Sequence, residues 1–411
     1  PPSPSTSRGH HITITSHPTL PLLAYCSRTF VVLLSVPRDP NSDDNATSSD
    51  NDNDNNGSFV YKGHTSPTTV ARFSPSGKLV ASGDASGKLR VWSTHGDRKS
   101  KLELQVLSGP IADIGWDADS KRITVCGDGG GSFHVKAISD TGNNIGEMVG
   151  HDKRALSCDY RKVRPYRVVS CGEDFRTVTY DGPPFKMSKK YDNGDVNTNY
   201  VNCVRYSPDG SQFATCSSDK SVTFFNAEDG QVIKTVKNVH AGSIYQLSWS
   251  PDGGSIITCS GDKTMKSISS TTHAVIGTYQ TPSDPLTVGD MLVGCVHLPD
   301  GRPVSVSLNG SINVYGTPDD FASPPVVTGS HASGITSLCY DPVTGTVTTG
   351  GGDGTIVTWD PITMVPTKST DGVGRNPING GVHKSNVSSL DCVGGGRVVS
   401  TGWDDCVRVS G

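Results

Sequence analysis

Apolar positions along the chain come in short runs of four to six residues broken by Gly, Pro, Ser and Asp, the spacing of strands and tight turns. Leu22-Leu-Ala-Tyr25, Phe30-Val-Val-Leu-Leu34, Lys88-Leu-Arg-Val-Trp92, Ser221-Val-Thr-Phe-Phe225 and Thr355-Ile-Val-Thr-Trp359 are of this kind. Several belong to copies of one pattern. Arg72-Phe-Ser-Pro-Ser-Gly-Lys-Leu-Val-Ala-Ser-Gly-Asp84 returns as Arg205-Tyr-Ser-Pro-Asp-Gly-Ser-Gln-Phe-Ala-Thr-Cys-Ser-Ser-Asp219 and as Trp249-Ser-Pro-Asp-Gly-Gly-Ser-Ile-Ile-Thr-Cys-Ser-Gly-Asp262. In each, proline presets its own φ and glycine supplies the positive φ that closes a hairpin. A strand, a turn, a second strand, a turn ending in Asp and a third strand follow in order.

The turn-ending residue recurs as Asp84, Asp128, Asp174, Asp219, Asp262, Asn309, Asp353 and Asp404, at intervals of 43 to 51 residues. That period matches a four-stranded propeller blade of roughly 40–45 residues. An upstream histidine opens several units: His64, His151, His240, His331 and His383. Taken alone, His64, Ser82 and Asp84 have the composition of a catalytic triad. Recurrence argues otherwise, because a catalytic site occurs once per domain whereas a buried hydrogen-bonded pair is needed in every blade. The units of Asp219 and Asn309 lack the histidine and must rely on packing, and Gly109-Pro110 stands where another would carry Gly-His.

Strand-like residues 12–36 add a degenerate unit before the first Asp, which makes nine. Propellers usually have four to eight blades. A break at Pro318–Pro325 resolves the count. The predicted fold is all-β: a seven-bladed WD-repeat β-propeller over 1–327, followed over 328–411 by the first two blades of a second, truncated propeller.

Composition sharpens this only locally. The chain has 411 residues, with 36 Lys and Arg against 40 Asp and Glu. Residues 38–57 hold Arg38 against Asp39, Asp43, Asp44, Asp50, Asp52 and Asp54, so the deficit is concentrated in one acidic insertion, expected to be disordered. The rest is nearly neutral and has no field to attract nucleic acid or an anionic membrane. Asp50–Gly57 resembles a calcium loop but has Asn55 and Tyr61 where an EF-hand needs Gly and Glu. Gly127-Asp-Gly-Gly-Gly131 lacks the GK[ST] of a phosphate loop. No cofactor, metal or catalytic residue is therefore expected. The eleven cysteines form no CxxC pair, and Cys126, Cys171, Cys216 and Cys259 recur at one repeat position, which suits buried thiols in a reducing, cytoplasmic setting. No apolar run is long enough to span a bilayer. A start at Pro1 without methionine suggests an N-terminally incomplete sequence.

One stretch escapes the repeat: Asp181-Gly-Pro-Pro-Phe-Lys-Met-Ser-Lys-Lys-Tyr191 and the polar residues up to Tyr200, expected to be an exposed platform between blades. Together with Arg164–Asp174, Ala81–Trp92, Ile244–Asp252 and Val304–Asn313, it resembles the actin-interacting protein 1 family of WD-repeat proteins, in order over most of 60–315. The resemblance implies two tandem seven-bladed propellers. It also implies a monomeric, non-catalytic partner of actin filaments and ADF/cofilin that promotes disassembly of cofilin-decorated filaments at the actin cytoskeleton. A generic WD-repeat adaptor, such as a ubiquitin-ligase receptor, is the competing expectation. The family's binding surface, on the third and fourth blades, carries over to Glu173, Lys186, Met187 and Tyr200. Met187 and Tyr200 stand where the family tends to have Phe, and Gly129-Gly-Gly-Ser132 replaces a charged loop.

Overall fold

The computed structural model describes residues 3–8, 12–36, 59–96, 98–131, 133–146, 148–192, 196–281, 286–323, 325–328, 335–352, 354–359, 366–369, 376–377, 383–394 and 396–410. The acidic stretch 38–57, His331 and Asp353 lie outside them.

Nine sheets succeed one another among the described residues, each built from consecutive strands and antiparallel except for one parallel pair, Pro366–Ser369 with Asn376–Pro377, at the edge of the eighth. The first contains Thr15–Ser16, Leu22–Ser27, Phe30–Ser35 and Phe59–Tyr61. The second contains Thr68–Phe73, Leu79–Asp84, Lys88–Ser93 and Ser100–Gln105. The third has three strands, Ile111–Trp116, Arg122–Gly127 and Val135–Ser139. The fourth runs Ala155–Tyr160, Arg167–Gly172, Thr177–Asp181 and Lys186–Tyr191; the fifth Val201–Tyr206, Gln212–Ser217, Val222–Asn226 and Val232–Val236. The sixth begins at Ile244–Trp249 and the seventh, at Leu292–His297, ends on the outer strand Val326–Thr328. The eighth and ninth begin at Ile335–Asp341 and Val387–Gly394, which pack on each other.

Burial follows position within a sheet. In the second to seventh sheets first strands are almost wholly buried, as in Val201–Tyr206, and fourth strands such as Ser100–Gln105 are largely exposed, whereas the first strand of the eighth sheet, Ile335–Asp341, is mostly exposed. Each first strand packs on the first strand of the next sheet, from the second sheet round to the seventh, and the first sheet meets both the second and the seventh. Ile12, Ile14, Leu23 and Tyr25 thus share one core cluster with Leu292, Val293, Cys295 and Val306. This closing seam is hydrogen-bonded as well: the Ile12 N–H donates to Val293 O at 2.9 Å. Gly294 permits that approach, since a Cβ there would lie 2.7 Å from Ile12 O. The N-terminal segment clasps both sides, with Ser5 N–H on Cys26 O (2.9 Å) and Thr6 Oγ1 on Leu308 O (2.5 Å). Ser5, Ser7 and Ile12 then line a cavity of about 190 Å³ with Thr68, Ile111, Arg154 and Leu156.

The S-P-[SD]-G turns take the expected form, with Gly77, Gly210 and Gly253 at φ of 70°, 68° and 74°. One expectation is overturned. Residues 181–191 are not a platform outside the repeat: Lys186–Tyr191 is the fourth strand of the fourth sheet, and Phe185 is completely buried. Phe185 packs edge-on against Tyr160 at 5.6 Å, so the aromatic anchors the strand to the core.

Candidate protein-binding surface

The recurrent His and Asp come together wherever both are described. His64 Nδ1 lies 2.8 Å from Asp84 and its Nε2 2.7 Å from Ser82 Oγ, which also accepts the Trp92 indole N–H at 3.1 Å. His151 meets Asp174 (3.0 Å) and Ser170 (2.8 Å), His240 meets Asp262 (2.9 Å) and Thr258 (3.0 Å), and His383 meets Asp404 and Ser400 (both 2.8 Å). Burial lowers the pKa of His64 despite the Asp84 hydrogen bond. The consistent arrangement is a neutral imidazole with Nδ1–H donating to the carboxylate and Nε2 accepting from the hydroxyl. Burial opposes ionisation of Asp262 too, but hydrogen bonds from His240, Thr264 and Ala241 outweigh it and hold the carboxyl well below the usual range. In this state the serine is engaged on both sides in the second sheet, and the set ties two strands and a loop together.

Asp128, Asp219 and Asn309 have no histidine. Asp219 accepts from Ser221 N–H (3.0 Å) and Thr198 N–H (2.9 Å), Asp128 from Gly130 N–H (3.2 Å), and Asn309 from Ser311 N–H (2.9 Å). The fifth sheet, which holds Asp219, compensates by packing. Phe213 and Phe225 stack at 4.6 Å, with Tyr191 against Phe225 at 5.0 Å.

A second polar set, not anticipated from sequence, links first strands of four neighbouring sheets. Asp113, fully buried in the third sheet, receives Arg72 of the second (2.8 Å), Ser157 of the fourth (2.7 Å) and Arg205 of the fifth (2.9 Å). Only a lone Asp inside Ile111-Ala-Asp-Ile114 signals it.

The four residues carried over for binding divide between two ends of the fourth sheet. Glu173 is in the turn between second and third strands, and Tyr200 just precedes the fifth sheet; both lie at the end where these turns gather. Lys186 pairs in register with Asp181 at the opposite end of the third strand, about 13 Å away at 3.3 Å per residue. Met187 follows it, but its side chain reaches back: a Cβ built on Gly150 would lie 3.2 Å from the Met187 sulfur. Lys186 and Met187 are exposed, Met187 by 45%. The neighbouring lysines have partners, Lys189 on Gly230 O (2.9 Å) and Lys190 on Asp192 (3.3 Å).

Around Glu173 and Tyr200 the structure adds residues that sequence reasoning missed. Phe175, two positions after Glu173, has φ of 66° and lies 5.5 Å from the Tyr200 ring. A bulky residue in the left-handed region is uncommon and costs strain. Its counterparts after Asp219 and Asp262 are Lys220 and Lys263, so an aromatic there is peculiar to this sheet. Phe133 closes the glycine-rich loop of the third sheet and is 48% exposed, against 44% for Tyr200. Gly129 has no room for a side chain, as its Cβ would meet Phe133 O at 1.7 Å. The signal was an aromatic ending a Gly run ahead of a strand. Asp152 and Asp192 both pair with Arg176, the residue after Phe175. Three consecutive sheets thus present aromatic and acidic groups along one rim, the composition of an interface core with a charged border.

Among the described residues no group of three His, Cys, Asp or Glu is placed to hold a metal ion, and no helix is long and apolar enough to cross a membrane.

The WD domain, G-beta repeat model matches residues 57–93, 191–226, 230–268 and 323–360. The chain is 41% identical to "Actin-interacting protein 1-2" of Arabidopsis thaliana, over 82% of this chain and 52% of that protein. It is 35% identical to the "66 kDa stress protein" of Physarum polycephalum, over 99% of this chain and 63% of the relative. To "WD repeat-containing protein 1-B" of Xenopus laevis it is 37% identical, over 85% and 56%. The chain therefore spans between half and two thirds of the length of these relatives.

Proposed function

Because the chain belongs to the actin-interacting protein 1 family of WD-repeat proteins, we propose that it binds actin filaments decorated with ADF/cofilin and promotes their disassembly. The observation that carries the site is the rim that presents the exposed rings of Phe133 and Tyr200 together with the half-buried Phe175 and Glu173. Exposed aromatics with neighbouring charge are where interface energy concentrates. Met187 and Lys186, at the outer strand, extend the contact toward the ring's flank. The action needs no covalent chemistry. A ring that binds the strained or severed filament more tightly than the intact one shifts the equilibrium toward the disassembled state by that difference in affinity.

In the same reading residues 1–327 are one propeller and 328–411 begin a second, the protein works as a monomer in the cytoplasm, and neither nucleic acid nor membrane is a partner. Co-sedimentation with filamentous actin, with and without cofilin, tests it. Binding that rises with cofilin, and falls at least fivefold in Phe133→Ala/Tyr200→Ala, is the expected result. Equal pelleting with bare and decorated filaments sinks the cofilin dependence, and full binding by the double variant removes the rim from the site.

A further inference from the structure

We propose that Cys339 and Cys392 are a redox-active pair whose disulfide, formed with a low-molecular-weight disulfide such as oxidised glutathione, staples the eighth sheet to the ninth. Their sulfurs lie 2.7 Å apart as free thiols, closer than non-bonded sulfurs ordinarily sit and longer than a bond of about 2.05 Å. The two are carried on the first strands of adjacent sheets, Ile335–Asp341 and Val387–Gly394. Those strands are tied on both sides of the pair. Thr336 Oγ1 donates to Val387 O, and Asp341 accepts the Gly396 N–H at 3.0 Å. The sulfurs are thus held face to face by hydrogen bonds independent of them, and proximity of this kind replaces a bimolecular encounter.

The other cysteines supply the contrast. Cys126 and Cys158, Cys203 and Cys216, and Cys259 and Cys295 also approach one another, but inside the ring, where all six are buried and no oxidant reaches them. Cys406 is partly exposed, yet its thiol points to the Asp404 carbonyl at 3.3 Å and has no sulfur beside it among the described residues. Cys392 alone is both partly exposed and in contact with a second sulfur.

Exposure assigns the order of steps. The Cys392 thiolate attacks one sulfur of glutathione disulfide, and the first glutathione leaves as thiolate. Cys339, deprotonated as it reacts, then attacks the Cys392 sulfur and expels the second glutathione. Two protein thiols are oxidised and one disulfide is reduced to two thiols, with both protons passing to solvent or to the departing glutathione. Burial pushes the Cys339 thiol up to about 12, which makes it the resolving partner and not the first nucleophile.

The test treats the full chain with millimolar oxidised glutathione under native conditions and maps peptides without reduction. Expected are the loss of two of the eleven thiols, a 339–392 cross-linked peptide and its complete reversal by reduced glutathione. In Cys339→Ser the adduct should stop as glutathione on Cys392, alongside any on Cys406. Retention of all eleven thiols, a mixed disulfide on Cys392 that persists in the parent chain, or a cross-link between other cysteines would each overturn the proposal. The parent-chain map decides the matter even where a substitution impairs folding.

Discussion

His297 is one imidazole whose surroundings make it a sensor of acid. It ends the first strand of the seventh sheet, and burial depresses its pKa from 6.5 to about 4, with the backbone of Trp249 and the Asp252 carboxylate pulling the other way. Its Nδ1 is buried without a hydrogen-bond partner. The folded-state pKa lies below the unfolded one, so its contribution is fully present above pH 6.5 and is lost as pH falls toward 4. At 1.36 kcal/mol per unit the loss is about 3 kcal/mol. Denaturant midpoints measured from pH 7.5 to 4.5 should fall in the parent and fall less steeply in His297→Gln, where the decline left over comes from other imidazoles that burial depresses, His64 among them. An identical decline in both proteins would refute the assignment. Asp84, Asp174 and Asp262 belong to a lower window, since their carboxyls are held below the ordinary value and their stabilisation fades only below about pH 4. At this scale the sequence was most legible where chemistry repeats. Position and composition identified the Asp and His residues, whereas Phe133 and Phe175 occur once and gave no period to read.

Among elements, what the chain disclosed depended on where a strand sits in its sheet. Inner strands announce themselves because both faces are buried, as in Ile256, Ile257 and Cys259, all nearly inaccessible. Outer strands bury little, and Lys186–Tyr191, with four of its six residues exposed, read as a loop because no apolar alternation marked it. Contacts between sheets are less legible still, since many join residues more than 40 positions apart. Asp113 illustrates the energetic weight of one such contact. Asp113→Ala leaves Arg72 and Arg205 without their shared carboxylate, and breaking a buried pair in this way costs about 3–5 kcal/mol. The loss should spread over the second to fifth sheets together. Calorimetry of the variant is expected to show a single transition at lower temperature; an unchanged melt would mean that the hub contributes nothing net.

For the whole molecule, the repeat count led to the ring, but not to how it closes. No sequence feature pairs Ile12 with Val293, since the first unit is degenerate and lacks the Asp that marks the others. Closure depends on Gly294, and Gly294→Ala should cost about 1–3 kcal/mol, because the added carbon meets the Ile12 carbonyl and not a flexible side chain. Equilibrium unfolding in urea checks this, and a midpoint equal to the parent's would show that the seam can yield without cost. The predicted binding residues lie at two ends of one sheet for a related reason. Register along the sheet, invisible in a list of residue types, set Lys186 apart from Glu173 and Tyr200.

A ring fastened at one clasp behaves as a hoop with a buckle. On the far side, the Asp113 hub links neighbours through ionic bonds that no single opening can release. At the buckle, the first and seventh sheets rely on shared apolar surface and a few backbone hydrogen bonds. Fluctuations that leave most of the molecule intact should therefore part it there, and deuterium should enter the amides of Ile12 and its neighbours before those of Ile114 or Val204. Under the proposed function, a filament bound at the rim of the third to fifth sheets would push on the stiff arc, leaving the buckle to take up the strain.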